Sequence, residues 1–99
     1  MQMTHLREQL EWVTERAGAE LVARALGVST ALVEAWVCGR EMFFPAELWG
    51  RLMELHYVVG RTWAREPSPH AVRADLLTPS TGTPDLPTVD AIRLGVPVC

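Results

Sequence analysis

Apolar residues recur every three or four positions through most of this chain, with polar residues filling the intervals, which predicts short amphipathic helices rather than strands. Leu6, Leu10, Val13 and Ala17 share one face of a first helix over residues 4–17, with Thr4 as its N-cap and Gly18 closing it. A second helix, 20–26, turns Leu21, Val22 and Leu26 inward. A third, 29–37, buries Val33 and Trp36, with Val37 alongside. Pro45 opens the longest helix, 46–65, which aligns Leu48, Leu52, Leu55, Val59 and Trp63. Trp49, Met53 and Tyr57 widen that apolar face beyond what one hairpin covers. Glu66-Pro67-Ser68-Pro69 is a break, with Ser68 capping a short helix from His70 to Leu77. Thr78 to Pro87 reads as an extended Pro-rich loop, and Thr88 to Leu94 as a last helical turn or two closed by Gly95. The fold class is all-α, with a helical domain over 1–66 and a C-terminal extension over 67–99 that packs on the same core or on a partner.

The spacing within residues 20–40 is the most specific feature. Gly27 ends one helix in the left-handed conformation that glycine takes without a Cβ penalty. Ser29, two residues on, is an N-cap whose hydroxyl accepts a backbone N–H. Ala23 is small enough for the next helix to cross closely, and Val33 and Trp36 follow at six and nine residues past the glycine. Together these predict a helix-turn-helix, the motif whose second helix enters the major groove of DNA. A plain pair of hairpin helices shares part of this pattern. Trp36 and Gly39, with Pro45 after them, form the Trp-x-x-Gly ending that resembles the repressor-type helix-turn-helix family. On that motif the outward positions of the second helix are Ser29, Thr30, Ala31, Glu34, Ala35 and Cys38. Thr30 then contacts a base or phosphate, Ala31 and Ala35 meet thymine methyl groups, and Glu34 accepts from a cytosine amino group. Arg24 and Arg40 are the expected phosphate clamps.

Charge works against strong non-specific binding. The formal net charge is −3, and Glu20, Glu34 and Glu41 accompany Arg24 and Arg40. Phosphate neutralisation supplies most non-specific affinity for DNA, so a basic patch is expected partly outside the motif, where Arg61, Arg65 and Arg73 outnumber Glu66. All nine basic residues are arginines, and lysine and asparagine, whose codons are AT-rich, are absent. A GC-rich bacterial or phage genome accounts for this. Ninety-nine residues with 48% hydrophobic and 21% charged content make one globular domain with a small core.

No apolar run reaches the roughly 18 residues of a membrane span, and no signal-peptide h-region follows the N-terminus, so a cytoplasmic protein without membrane contact is expected. Cys38 and Cys99 match no metal or disulfide spacing. His5, His56 and His70 are scattered, His56 reading as a structural residue, and Ser29 has no activating neighbour. Neither an enzyme, nor a cofactor, nor a metal site is expected.

The order of helix-turn-helix, long helix with Leu52 to Val59, Pro-rich loop and short helix resembles the Xre/MbcA/ParS-type antitoxins of bacterial toxin–antitoxin pairs. Leu76, Thr78, Pro79 and Ser80 look like the first part of that family's C-terminal pattern. Val89, Asp90, Ile92 and Gly95 look like the last, while Asp85 stands at the turn glycine and Pro87-Thr88 reverses the family's Thr-Pro. The resemblance implies a homodimeric DNA-binding antitoxin that represses its own operon and neutralises a RES-type, NAD-consuming toxin. Its partner-binding surface is expected at Trp49, Met53, Tyr57, Pro79, Leu86, Val89 and Ile92. Two other readings stay open: a phage-type regulator without a toxin, and a protein-interaction module that keeps the helix-turn-helix fold.

Overall fold

The computed structural model describes residues 3–79 and 84–95. Among them are six α-helices and no strand: α1 (Met3–Ala17), α2 (Ala19–Leu26), α3 (Thr30–Val37), α4 (Trp49–Arg65), α5 (Pro69–Leu77) and α6 (Thr88–Leu94). A 3₁₀ turn, Ala46–Leu48, leads into α4. The all-α expectation holds, and the helix limits agree with the apolar periodicity to within a few residues. Helix α1 is already under way at Met3, so Thr4 lies inside it rather than capping it. Ser80 and Cys99 lie outside the described residues.

One core serves all six helices. Leu6, Leu10 and Val13 of α1 are buried, as are Val22 and Leu26 of α2, Val33 and Trp36 of α3, and Leu52, Leu55 and Val59 of α4. Leu76 of α5 and Val89, Ala91 and Ile92 of α6 join the same cluster. The C-terminal extension therefore belongs to this core, and α6 packs along α2 and also against α4 and α5. Alanines make the close approach possible: Ala23, Ala25 and Ala91 are all buried, and alanine keeps helix propensity high while adding little bulk. Between α5 and α6 the backbone closes on itself through an isolated bridge of Pro79 with Pro87. Both the backbone N–H and the hydroxyl of Thr88 donate to the Thr78 carbonyl, at 3.0 and 2.8 Å.

The turn of the motif is built as its residues dictate. Gly27 has φ 78°, and its N–H donates to the Ala23 carbonyl. The Ser29 hydroxyl accepts from the Leu32 N–H at 3.1 Å, satisfying one of the donors that a helix start leaves unpaired. Ser29→Ala is expected to lower stability by about 1 kcal/mol, measured by urea denaturation. A Gly substitution there should cost only a few tenths of that unit. At the far end Gly39 has φ 82°, and the N–H groups of Arg40 and Glu41 both donate to the Ala35 carbonyl, which stops α3.

Phe44 folds back on the core and meets Trp36 edge to face at 4.8 Å. Met42 and Phe43, adjacent to it, do not: they are 61% and 72% exposed. The reason is a hydrogen bond from Trp36 Nε1 to the Phe43 carbonyl at 2.7 Å. It fixes the backbone direction at Phe43, so that the next side chain turns in and the preceding two turn out.

Candidate nucleic-acid interface

The outer face of α3 is formed by the exposed Ser29, Ala31, Glu34 and Cys38, with Thr30 and Ala35 half-buried beside them. Val33 and Trp36 anchor the opposite face, so these six side chains are presented on a helix held firmly from behind. At about 1.5 Å per residue, eight residues span about 12 Å, comparable with the width of the B-DNA major groove. The helix itself carries one charged residue, Glu34, and no arginine.

Arg24 does not stand ready as a phosphate clamp. Its Nε and Nη2 donate to the two carboxylate oxygens of Asp90 at 2.9 and 2.6 Å, a bidentate pair between α2 and α6. That hydrogen bonding holds the Asp90 carboxyl below the usual carboxylate range and raises the Arg24 guanidinium. Planar guanidinium and carboxylate groups match in this geometry, and the pair neutralises most of the charge at Arg24. Arg40 is exposed, and its Nε donates to the Cys38 sulfur at 3.0 Å. The same contact pushes the Cys38 thiol below its ordinary pKa.

Arginines distant in sequence come close to both ends of α3. A Cβ placed on Gly27, at the turn, lies 3.2 Å from Arg51 Nη1 of α4 and 3.6 Å from Arg93 Cγ of α6. Arg51 Nη1 also donates to the Leu26 carbonyl at 2.8 Å, closing the C-terminal end of α2. At the other end, a Cβ on Gly39 lies 3.1 Å from Arg7 Nη1 of α1, whose Nε donates to the Glu11 carboxylate at 3.3 Å. A guanidinium there also suits the partial negative charge of a helix C-terminus. Of the arginines expected to form a separate patch, Arg73 reaches the start of α2, 3.8 Å from a Cβ on Gly18. Arg65 is paired with Asp75 at 2.8 Å, and Arg61 lies over the Tyr57 ring. Arg7, Arg51 and Arg93 were missed by sequence reasoning, since each reaches the motif from another helix.

The expected partner surface divides. Tyr57 is exposed, as is Pro79, while Trp49, Met53 and Leu86 are half-buried. Val89 and Ile92 are corrections: at 0% and 2% exposure they fill the core of this chain, and no partner reaches them while α6 stays packed. The apolar side chains left outside are instead Met42, Phe43, Tyr57, Leu77 and Leu94. Where α1 meets α4, His56 stacks on Trp12 at 4.6 Å, and the Arg16 guanidinium lies over both Trp12 and Trp63, at 4.2 and 4.6 Å. Burial, and then the Arg16 charge, lower the His56 pKa. The stacking gives His56 a packing role between α1 and α4.

No helix among the described residues is long and apolar enough to cross a membrane. No protein-family model, curated protein or solved structure matches this chain.

Proposed function

We propose that this protein is a small helix-turn-helix transcription regulator that binds double-stranded DNA through the outer face of α3. The observation that carries this reading is the approach of Arg7 to Gly39 just past the end of α3, with the exposed Arg40 beside it, and of Arg51 and Arg93 to Gly27 in the turn before α3. A helix about as long as the major groove is wide, small and polar on its outer face and flanked by guanidinium groups, suits base contacts between phosphate contacts. Thr30, Ala31 and Ala35 are the side chains for base edges. Glu34 selects against neighbours that offer it no donor.

In its more specific form the regulator represses its own operon as a homodimer and neutralises a toxin. The resemblance of the helix order supports this form. Two-fold pairing would set half-sites about 34 Å apart. Size-exclusion chromatography with and without DNA tests the dimer, and co-purification with the product of the adjacent gene tests the toxin. The exposed Met42 and Phe43 favour a second reading, a protein-interaction module on the same fold.

Fluorescence anisotropy with the DNA upstream of the gene separates the two. On the DNA reading, Arg40→Ala weakens binding to all sequences and shallows the salt dependence, while Thr30→Ala changes preference at one base pair by about 1–3 kcal/mol. Absence of binding by the wild type at low salt would remove the DNA reading and leave the interaction module.

A further inference from the structure

We infer that Arg51 and Arg93 form a binding site for a backbone phosphodiester of duplex DNA beside the turn between α2 and α3, with Asp90 and Arg24 as positioning residues. This rests on the DNA-binding reading above and adds to it a site supplied largely by α4 and α6.

Two arginine side chains approach the turn, and a third lies nearby on α2. Arg51 and Arg93 both come within 4 Å of the place a Cβ would take on Gly27. Arg24 lies one helical turn earlier on α2. One carboxylate serves this group: Asp90 binds Arg24 bidentately and lies 3.8 Å from Arg93 Nε. Asp90 sets one negative charge against the three positive charges of Arg24, Arg51 and Arg93, so this group of four holds an excess of two in a chain whose net charge is −3. Asp90, already bidentate on Arg24, meets that excess only in part, and an anion held by Arg51 and Arg93 would offset the rest. A phosphate ester oxygen is such an anion, and planar guanidinium forks are the side chains best matched to it.

The local architecture keeps this arrangement in place. Arg51 is anchored through Nη1 to the Leu26 carbonyl, which leaves its Nε and Nη2 donors for another acceptor. Arg93 lays its aliphatic stem beside Gly27, with Cγ 3.6 Å from where a Cβ would stand. Asp90 fixes the register of α6 on α2 through Arg24, and so sets where Arg93 emerges. Gly27 thus ends α2 through its φ of 78°, and a Cβ there would crowd Arg51 Nη1 at 3.2 Å while meeting Arg93 at ordinary contact distance. A phosphate bound here lies beside the start of α3, on the strand that borders the groove the helix enters. The C-terminal helix thereby becomes part of the DNA-binding surface.

The test compares the wild type with Arg51→Gln, Arg93→Gln and Arg93→Lys by anisotropy on a fluorescent random-sequence duplex of about two helical turns, over about 50 to 200 mM salt. Both glutamines remove charge and keep a polar stem, the one at 51 ending two atoms short of the Nη1 position, and neither should disturb the core. Unchanged thermal melting checks this. Each Gln variant is expected to bind roughly tenfold more weakly at the low-salt end and to shallow the log–log salt slope by about one. Arg93→Lys is expected to restore the slope. Wild-type affinity and slope in both Gln variants, with the wild type itself binding DNA, would overturn the phosphate site while leaving the DNA reading intact. No binding by the wild type would remove both. A third arm adds inorganic phosphate against chloride at matched ionic strength: weaker duplex binding in phosphate, lost in Arg93→Gln, supports the site, and phosphate binding that leaves the duplex in place would assign the site to a free anion and overturn the DNA assignment.

Discussion

Trp36→Ala is expected to destabilise the protein by about 3–5 kcal/mol, the range for deleting a large aromatic from a packed core. Three separate contributions disappear with the ring. Its burial, at 2% exposure, holds α3 against the body of the protein. Its Nε1 loses the Phe43 carbonyl, and its face loses the edge-to-face contact with Phe44. Because the chain from Phe43 onward is aimed into α4 by that hydrogen bond, the loop should loosen together with α3. Urea denaturation followed by circular dichroism gives the stability change. Trp36→Phe is the informative companion: it retains most of the apolar volume but leaves the carbonyl unpaired, at a cost nearer 1–3 kcal/mol. A loss below about 1 kcal/mol for the alanine variant would mean that α3 is not anchored as described.

The second large effect is expected at Ile92. Truncation to alanine should cost about 2–5 kcal/mol, because the side chain is 2% exposed in a helix that packs along α2. Leu94, two residues later and 53% exposed, is the internal control: Leu94→Ala should change stability by no more than about 0.5 kcal/mol. Both are read from the same urea titration, and a single cooperative transition is expected for each, since α6 shares its core with α1 through α5. A separate, low-stability transition for the C-terminal segment would show instead that residues 67–99 fold as an appendage. The pair of helices is also tied electrostatically. Asp90 has its pKa lowered by Arg24, so the stability this pair contributes is present above the ordinary carboxylate pKa and is lost as pH falls through the lowered folded-state value. Solvent reaches Arg24, which keeps that contribution near 1 kcal/mol or less.

The pair of short helices α2 and α3 and the turn between them were legible because their marks are local. Gly27, Ser29, Trp36 and Gly39 each act within a few residues of themselves, through a left-handed φ, a cap hydroxyl or a helical face, and their spacing carries the whole device. The loop after Gly39 was less so. Met42, Phe43 and Phe44 are all apolar, and a loop has no period to say which of them turns inward. A hydrogen bond from Trp36 decides it. Arg24 was read as a phosphate clamp, but its carboxylate partner is 66 residues away and meets it only because α6 packs on α2. The same packing buries Val89 and Ile92, which a short amphipathic segment seen alone assigns equally well to a partner. Arg7, Arg51 and Arg93 carried no signal at all, being ordinary polar positions on their own helices. What joins them to α3 is tertiary approach, and that is set by the core rather than by any motif.

Titration of the isotope-labelled protein with its upstream duplex, followed by amide and arginine side-chain NMR shifts, tests the DNA reading most directly. Binding through α3 should move the signals of Ser29, Thr30, Ala31, Glu34 and Ala35, together with the side chains of Arg40, Arg51 and Arg93. Signals of the packed α1–α4 cluster, His56, Trp12 and Trp63, should stay in place. Shifts confined to Met42, Phe43 and Tyr57, or no shifts at low salt, would contradict it.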